Sequence, residues 1–204
     1  MRTYAFHGSD GFNQWMDGIL DTFAHDVEAA VGDHLVALIL GGGYGRGEGG
    51  VEIVDGKELP YNDLDFTIVV DNVAAVPHGE LDRISREYAK QLKIHVDFSR
   101  PLTVPAIRQW PPWLMWHDLL NGHMVLSGAD DVLSSNAPSC VKAHPPPIEA
   151  VRLLLNRGAG LLWAMRVSRE VEPEPDRGFT LRNYYKLVLA LGDALLLAYG
   201  RFAT

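Results

Sequence analysis

Apolar residues at Phe12, Trp15, Met16, Ile19, Leu20, Phe23 and Val27 recur at intervals of three and four, which predicts an amphipathic helix over residues 12–31 with Ser9 or Asp10 as N-cap. Residues 35–40 (LVALIL) form a short apolar run that stops at three glycines, the pattern of a buried strand feeding a tight turn. Seven of the ten residues from 41 to 50 are glycine, so a loop is expected there, one whose backbone comes close to something. Residues 51–59 read as a small hairpin turning at Asp55-Gly56 and ended by Pro60. Residues 64–70 (LDFTIVV) predict a strong strand, being rich in β-branched and aromatic side chains. A helix over 80–92 follows, with Leu81, Ile84, Tyr88 and Leu92 on one face. Then comes a strand over 93–99, where Ile94, Val96 and Phe98 alternate with His95 and Asp97.

Prolines break the chain repeatedly over 101–112, and a short helix is expected over 112–121. Pro145-Pro146-Pro147 reads as a stiff linker into two long helices, 148–167 and 180–202, separated by the charged, proline-bearing stretch 168–178. The expected fold is therefore α/β (α+β): a small mixed twisted sheet with flanking helices, then a C-terminal helical unit. Residues 1–144 would form the α/β domain and 145–204 the helical unit. An apolar helical pattern runs into the last residues, Gly200 to Thr204, as in a fragment of a longer protein.

Side chains alternate along a strand, so Asp63 and Asp65 share a face, about 7 Å apart at a rise of ~3.3 Å per residue. If the strand carrying Asp97 lies beside theirs, a third carboxylate joins them. Three clustered carboxylates repel one another unless a cation or raised pKa values relieve them, and Mg²⁺ prefers to share its shell between carboxylates, water and phosphates. Successive glycines expose backbone N–H groups that can cradle phosphate. Together these features imply nucleotide chemistry. Each also has a plainer reading: a structural glycine turn, a turn residue at Asp63, an edge polar residue at Asp65, and an Asp97 paired with Lys93 or Arg100. A dinucleotide-binding G-x-G-x-x-G over residues 45–50 is disfavoured, because Val51 and Ile53 follow where a helix should open. His95 reads either as a contact to a ligand or metal or as a hydrogen-bonded bystander, with the bystander favoured, and Trp110, Trp113 and Trp116 as an aromatic platform or as core packing, with packing favoured.

A formal net charge of -8 argues against wrapping duplex DNA or a long RNA, which leaves a small molecule or a protein as acceptor. Cys140, the single cysteine, cannot form an internal disulfide and reads as a small, partly buried thiol suited to a reducing compartment. No signal-like run opens the chain and no stretch is long and apolar enough to span a membrane, so a cytoplasmic location is expected.

The segment Gly42-Gly43-Tyr44-Gly45-Arg46-Gly47-Glu48 and the pair Asp63-Leu64-Asp65 resemble the glycine-rich loop and Asp-x-Asp motif of polymerase-beta-like nucleotidyltransferases. The resemblance covers roughly residues 35–135, and the C-terminal helices look like the helical substrate-binding unit of small-molecule and minimal members. It implies attack of an acceptor hydroxyl on the α-phosphate of ATP or another nucleoside triphosphate, with release of pyrophosphate. Asp63, Asp65 and Asp97 would hold two Mg²⁺ ions, Asp97 helping to deprotonate the nucleophile. Gly42 and Gly43 would donate N–H groups to the triphosphate, Arg46 would neutralise its charge, and Lys186 is a weaker candidate for the same task. Gly43 stands where many members carry serine, and the interval from Gly43 to Asp63 is longer than usual, which the 51–59 hairpin accounts for. A non-catalytic nucleotide-binding or toxin–antitoxin module of the same fold and a metal-dependent phosphohydrolase are the alternatives.

Overall fold

The computed structural model describes residues 2–175 and 178–203; residues 176 and 177 of the predicted interhelical stretch, and Thr204, lie outside it. Helix α1 (Asp10–Val31) is capped by the Ser9 side chain, which accepts the Phe12 N–H at 3.1 Å. Strand β1 (Leu35–Leu40) and strand β4 (Leu64–Val70) have the bounds expected of them. Between them lie a one-turn helix α2 (Gly42–Gly45) and a hairpin of β2 (Val51–Val54) and β3 (Lys57–Pro60). Asp55 and Gly56 both have positive φ, 51° and 76°, the backbone a tight two-residue hairpin turn requires.

Helix α3 (His78–Leu92) leads to β5 (Val96–Phe98), a three-residue strand rather than the seven expected. Lys93 ends α3 in the left-handed conformation, φ 59° and ψ 29°, so the chain extends only after turning. Helices α4 (Val104–Ile107) and α5 (Leu114–Asn121), strand β6 (Met124–Gly128), and helices α6 (Val132–Asn136) and α7 (Ser139–Lys142) follow. Cys140 on α7 is exposed, not partly buried. The long helices are α8 (Ile148–Ser168) and α9 (Phe179–Ala198).

The main sheet has the order β5-β4-β1-β6, with β4 and β5 parallel and the other pairs antiparallel, so it is mixed. One face, carrying Leu38, Leu40, Leu64, Phe66 and Val96, is buried with α1 and α3 in a single apolar cluster. Phe23 of α1 stacks on Phe66 with ring centroids 4.1 Å apart. Period-two alternation turns Asp65, Thr67 and Asp97 to the opposite face.

Contacts divide the chain into two units: residues 1–110 with 118–138, and residues 111–117 with 139–204. In the second unit α8 and α9 pair, and buried Glu149 at the start of α8 accepts the Leu114 N–H at 2.8 Å while taking Arg152 at 2.6 Å. The two helices show the solvent an unusual surface. On α9, Leu181, Tyr184, Val188, Leu191 and Leu195 are all exposed, whereas Arg182, Lys186 and Asp193 are half-buried. Among the described residues no helix is long and apolar enough to cross a membrane.

Candidate active site

The register of the sheet decides which acidic residues meet. Leu40 pairs with Phe66 across β1 and β4, and one residue on, the Gly41 N–H donates to the Asp65 carbonyl at 2.8 Å. The glycine-rich bend therefore begins directly beside Asp65. On the other side of β4, Asp65 is the register partner of Asp97 on the parallel strand β5. Parallel partners point to the same face, and adjacent strands lie ~4.8 Å apart, so these two carboxylates flank one patch of surface. Both side chains are exposed. Asp63 precedes β4 by one residue, is half-buried, and is followed by the Leu64 N–H bonded to the His95 carbonyl at 2.9 Å. His95 lies before β5 rather than within it, so strand alternation does not aim it beside Asp97. Among the described residues no three His, Cys, Asp or Glu side chains converge as a ready-made metal cage.

The glycine run is more ordered than its composition suggests. Residues 42–45 close one helical turn through Gly45 N–H to Gly41 O at 2.9 Å. Glycine disfavours helix interiors by its chain entropy, but four residues anchored by the sheet on one side need no propagation. Gly42 is required on two counts. Its φ is 62°, and a Cβ there would stand 2.5 Å from Asp65 Oδ2. At Gly43 an added Cβ meets only ordinary contacts, the nearest being Glu48 O at 3.6 Å, so a small side chain such as serine would fit. Arg46 gives its Nε to Glu48 at 2.8 Å and lays its stem against Gly122.

Sequence reasoning passed over Tyr44, which ties the bend to the hairpin. Its hydroxyl donates to Gly50 O at 2.5 Å and accepts the Tyr61 N–H at 3.0 Å. Gly50 N–H donates to Asn62 Oδ1 at 2.7 Å, and Tyr61 N–H also reaches Gly50 O at 3.0 Å. Both ends of the hairpin are thus pinned immediately before Asp63. Burial, partly offset by the backbone N–H groups of Tyr61 and Asn62 that donate to it, pushes the Tyr44 hydroxyl up to about 12. The only earlier signal was an aromatic residue amid glycines; the ring fills the space that Gly49 leaves, where a Cβ would lie 2.0 Å from it. The hairpin is also held to α1, the Ser9 N–H donating to Glu58 Oε1 at 3.1 Å.

Trp110 is 4% exposed within the first unit, while Trp113 and Trp116 belong to the second, where Arg152 sits over the Trp113 ring at 5.4 Å. His117 Nδ1 lies 2.9 Å from the Val141 carbonyl, a local structural bond. Lys186 is on α9 in the second unit.

No protein-family model and no curated protein matches the chain. It is similar to solved toxin–antitoxin structures. One is of a tri-AMPylated Shewanella oneidensis HEPN toxin in complex with an MNT antitoxin, at 12% identity and TM-score 0.38, covering 71% of this chain and 94% of that one. A toxin–antitoxin with AMP-PNP is 13% identical with TM-score 0.39, covering 68% and 93%. A third, the toxin–antitoxin MntA–HepT, is 11% identical with TM-score 0.37, covering 70% and 93%.

Proposed function

We propose that the chain is a metal-dependent nucleotidyltransferase that moves a nucleoside monophosphate, with ATP the favoured donor, to a hydroxyl of a small molecule or a protein. The observation that carries this reading is the pairing of Asp65 with Asp97 on adjacent parallel strands, beside a glycine whose absent Cβ leaves room for the Asp65 carboxylate. The donor set fits Mg²⁺, which takes hard oxygen ligands and is commonly held by one or two carboxylates together with substrate phosphates. Asp63, Asp65 and Asp97 would hold two such ions. When bound, they lower the pKa of the acceptor hydroxyl and offset the charge of the phosphates.

The chain's own groups divide the remaining work. Gly42 and Gly43 lie in the first turn of α2, where backbone N–H groups have no intrahelical acceptor, and they would donate to the triphosphate. Arg46, its Nε held by Glu48, would turn its other N–H groups to phosphate oxygen. Asp97 accepts the proton of the acceptor hydroxyl, whose oxygen bonds to the α-phosphorus as the bond to the bridging oxygen breaks and pyrophosphate leaves. The helical unit from residue 145 onward would bind the acceptor, with Lys186 a further cation for phosphate.

The test is pyrophosphate release from α-labelled triphosphates with Mg²⁺ and a panel of acceptors, comparing wild type with Asp65→Asn. Loss of transfer by a folded Asp65→Asn supports the assignment, and wild-type-like turnover contradicts it. Because Asp65 and Asp97 are exposed to water, hydrolysis is the second reading; nucleoside monophosphate without an acceptor adduct is its signature.

A further inference from the structure

Helix α9 is apolar on two sides: Ala190, Ala194 and Leu197 are buried, and a second apolar stripe faces outward. Its charged residues Arg182, Lys186 and Asp193 are half-buried, while apolar side chains facing outward reach 69% exposure at Leu189 and 78% at Tyr199. A helix normally directs its apolar stripe to the core and its charges to water. The exposed residues are also regularly spaced. Leu181, Tyr184, Val188, Leu191 and Leu195 follow at intervals of three, four, three and four, and Tyr185, Leu189 and Leu196 broaden the stripe. A 3.5-residue repeat is the seam by which one helix docks on another, knobs into holes. On α8, Leu155 and Leu162 are likewise exposed and seven residues apart.

We propose that this face is a homodimer interface, occupied by the same face of a second copy across a two-fold axis. Area supports an interface of that size. Eight apolar side chains of α9 are 42–69% exposed, with Tyr199 just beyond its end at 78%, and at roughly 100 Å² each when half or more exposed they make a stripe of several hundred Å². A standard interface takes ~800 Å² from each partner, and the largest apolar patch on a typical monomer is ~300–600 Å². Charge selects the occupant. The exposed stripe of α9 carries no acid or base, so it can meet itself without like-charge repulsion, while the exposed Arg152 and Arg166 flank Leu155 and Leu162 on α8 and lie at its rim; a partner chosen by charge would need complementary residues within the stripe itself. A helical seam needs an equal seam opposite, and a second copy supplies it. Burial in lipid is disfavoured by Arg182, Lys186 and Asp193 on the same helix.

The test is the mass of the full chain in solution, by light scattering and sedimentation over a dilution series. Wild type is expected to run at twice the chain mass. Val188→Glu and Leu195→Glu should weaken dimerisation roughly a hundredfold or more, because an unpaired carboxylate would be buried at the seam. Ile53→Glu, an exposed apolar residue on β2, should leave it unchanged. Should the charged variants unfold by circular dichroism, Leu191→Ala and Leu195→Ala remove seam contacts without adding charge, and a measurably weaker dimer is then the expected result. A wild-type monomer at every concentration overturns the proposal, whether it stays alone, takes a different protein or binds lipid vesicles. So does a dimer indifferent to all four α9 changes.

Discussion

Replacing Gly42 by alanine separates the geometry of the acidic face from general stability, and Gly43→Ala beside it supplies the control. At Gly42 the new Cβ must adopt φ 62° and would stand 2.5 Å from Asp65 Oδ2. The left-handed conformation costs a non-glycine residue about 1–2 kcal/mol. The clash is with the end of a side chain, so Asp65 can rotate away at little further cost to folding. Since 1 kcal/mol shifts the midpoint of a chain this size by ~2–4 °C, a Tm lower by about 2–8 °C is expected. Activity should suffer more, because displacing a reacting group by about 1 Å costs on the order of a hundredfold. Gly43→Ala needs no positive φ and meets nothing nearer than 3.6 Å, so its Tm should stay within about 2 °C and its turnover within a few-fold. Scanning calorimetry reads the first effect without any assumption about function, and pyrophosphate release reads the second. Equal behaviour of the two variants, or a Gly42→Ala protein matching wild type in both assays, would refute the reasoning.

Three further predictions concern the groups that hold the site and the second unit in shape. Tyr44→Phe removes the hydroxyl from Gly50 O and the Tyr61 N–H and should cost about 1–3 kcal/mol at neutral pH in denaturant unfolding; an unchanged midpoint counts against the clamp. The Tyr44 pKa rises from 10.0 unfolded to about 12 folded, so its stabilisation is complete below pH 10 and lost as pH climbs through about 12. The wild-type midpoint should accordingly fall more steeply over that window than that of Tyr44→Phe, and parallel curves would contradict the assignment. Glu149→Ala strips the start of α5 of the acceptor for Leu114 N–H and should destabilise by about 1–3 kcal/mol, with Glu149→Gln milder; an alanine variant as stable as wild type would show the bond to be idle.

Strong local patterns were readable in the sequence. LVALIL and LDFTIVV are apolar, β-branched and bounded by turn residues, so β1 and β4 could be delimited before any pairing was known. The Asp-Gly turn and the three-four spacing of α1 are equally local. Elements that exist only through tertiary contact were not readable. Strand β6, MVLSG, has weak strand chemistry and becomes one because the free edge of β1 needs partners for its N–H and C=O groups. Helix α2 forms in a glycine run because Gly41 is tethered to Asp65. At the site, period two predicts Asp63 and Asp65 on one face, yet Asp63 precedes β4, and the pairing of Asp65 with Asp97 depends on register, which a sequence leaves open. Tyr44 was missed for the same reason: its partners are carbonyl and amide groups, which leave no trace in residue identity.

The closed base of the β2–β3 hairpin makes it a detachable module. Gly50 and Tyr61 already meet through a main-chain bond, so the ten residues between them could be exchanged for a shorter bridge, or lengthened at Asp55-Gly56, while the segment entering β4 keeps its path. A lineage could thereby diversify what the protein recognises without disturbing its carboxylates, and an engineer could graft a reporter peptide at the same tip.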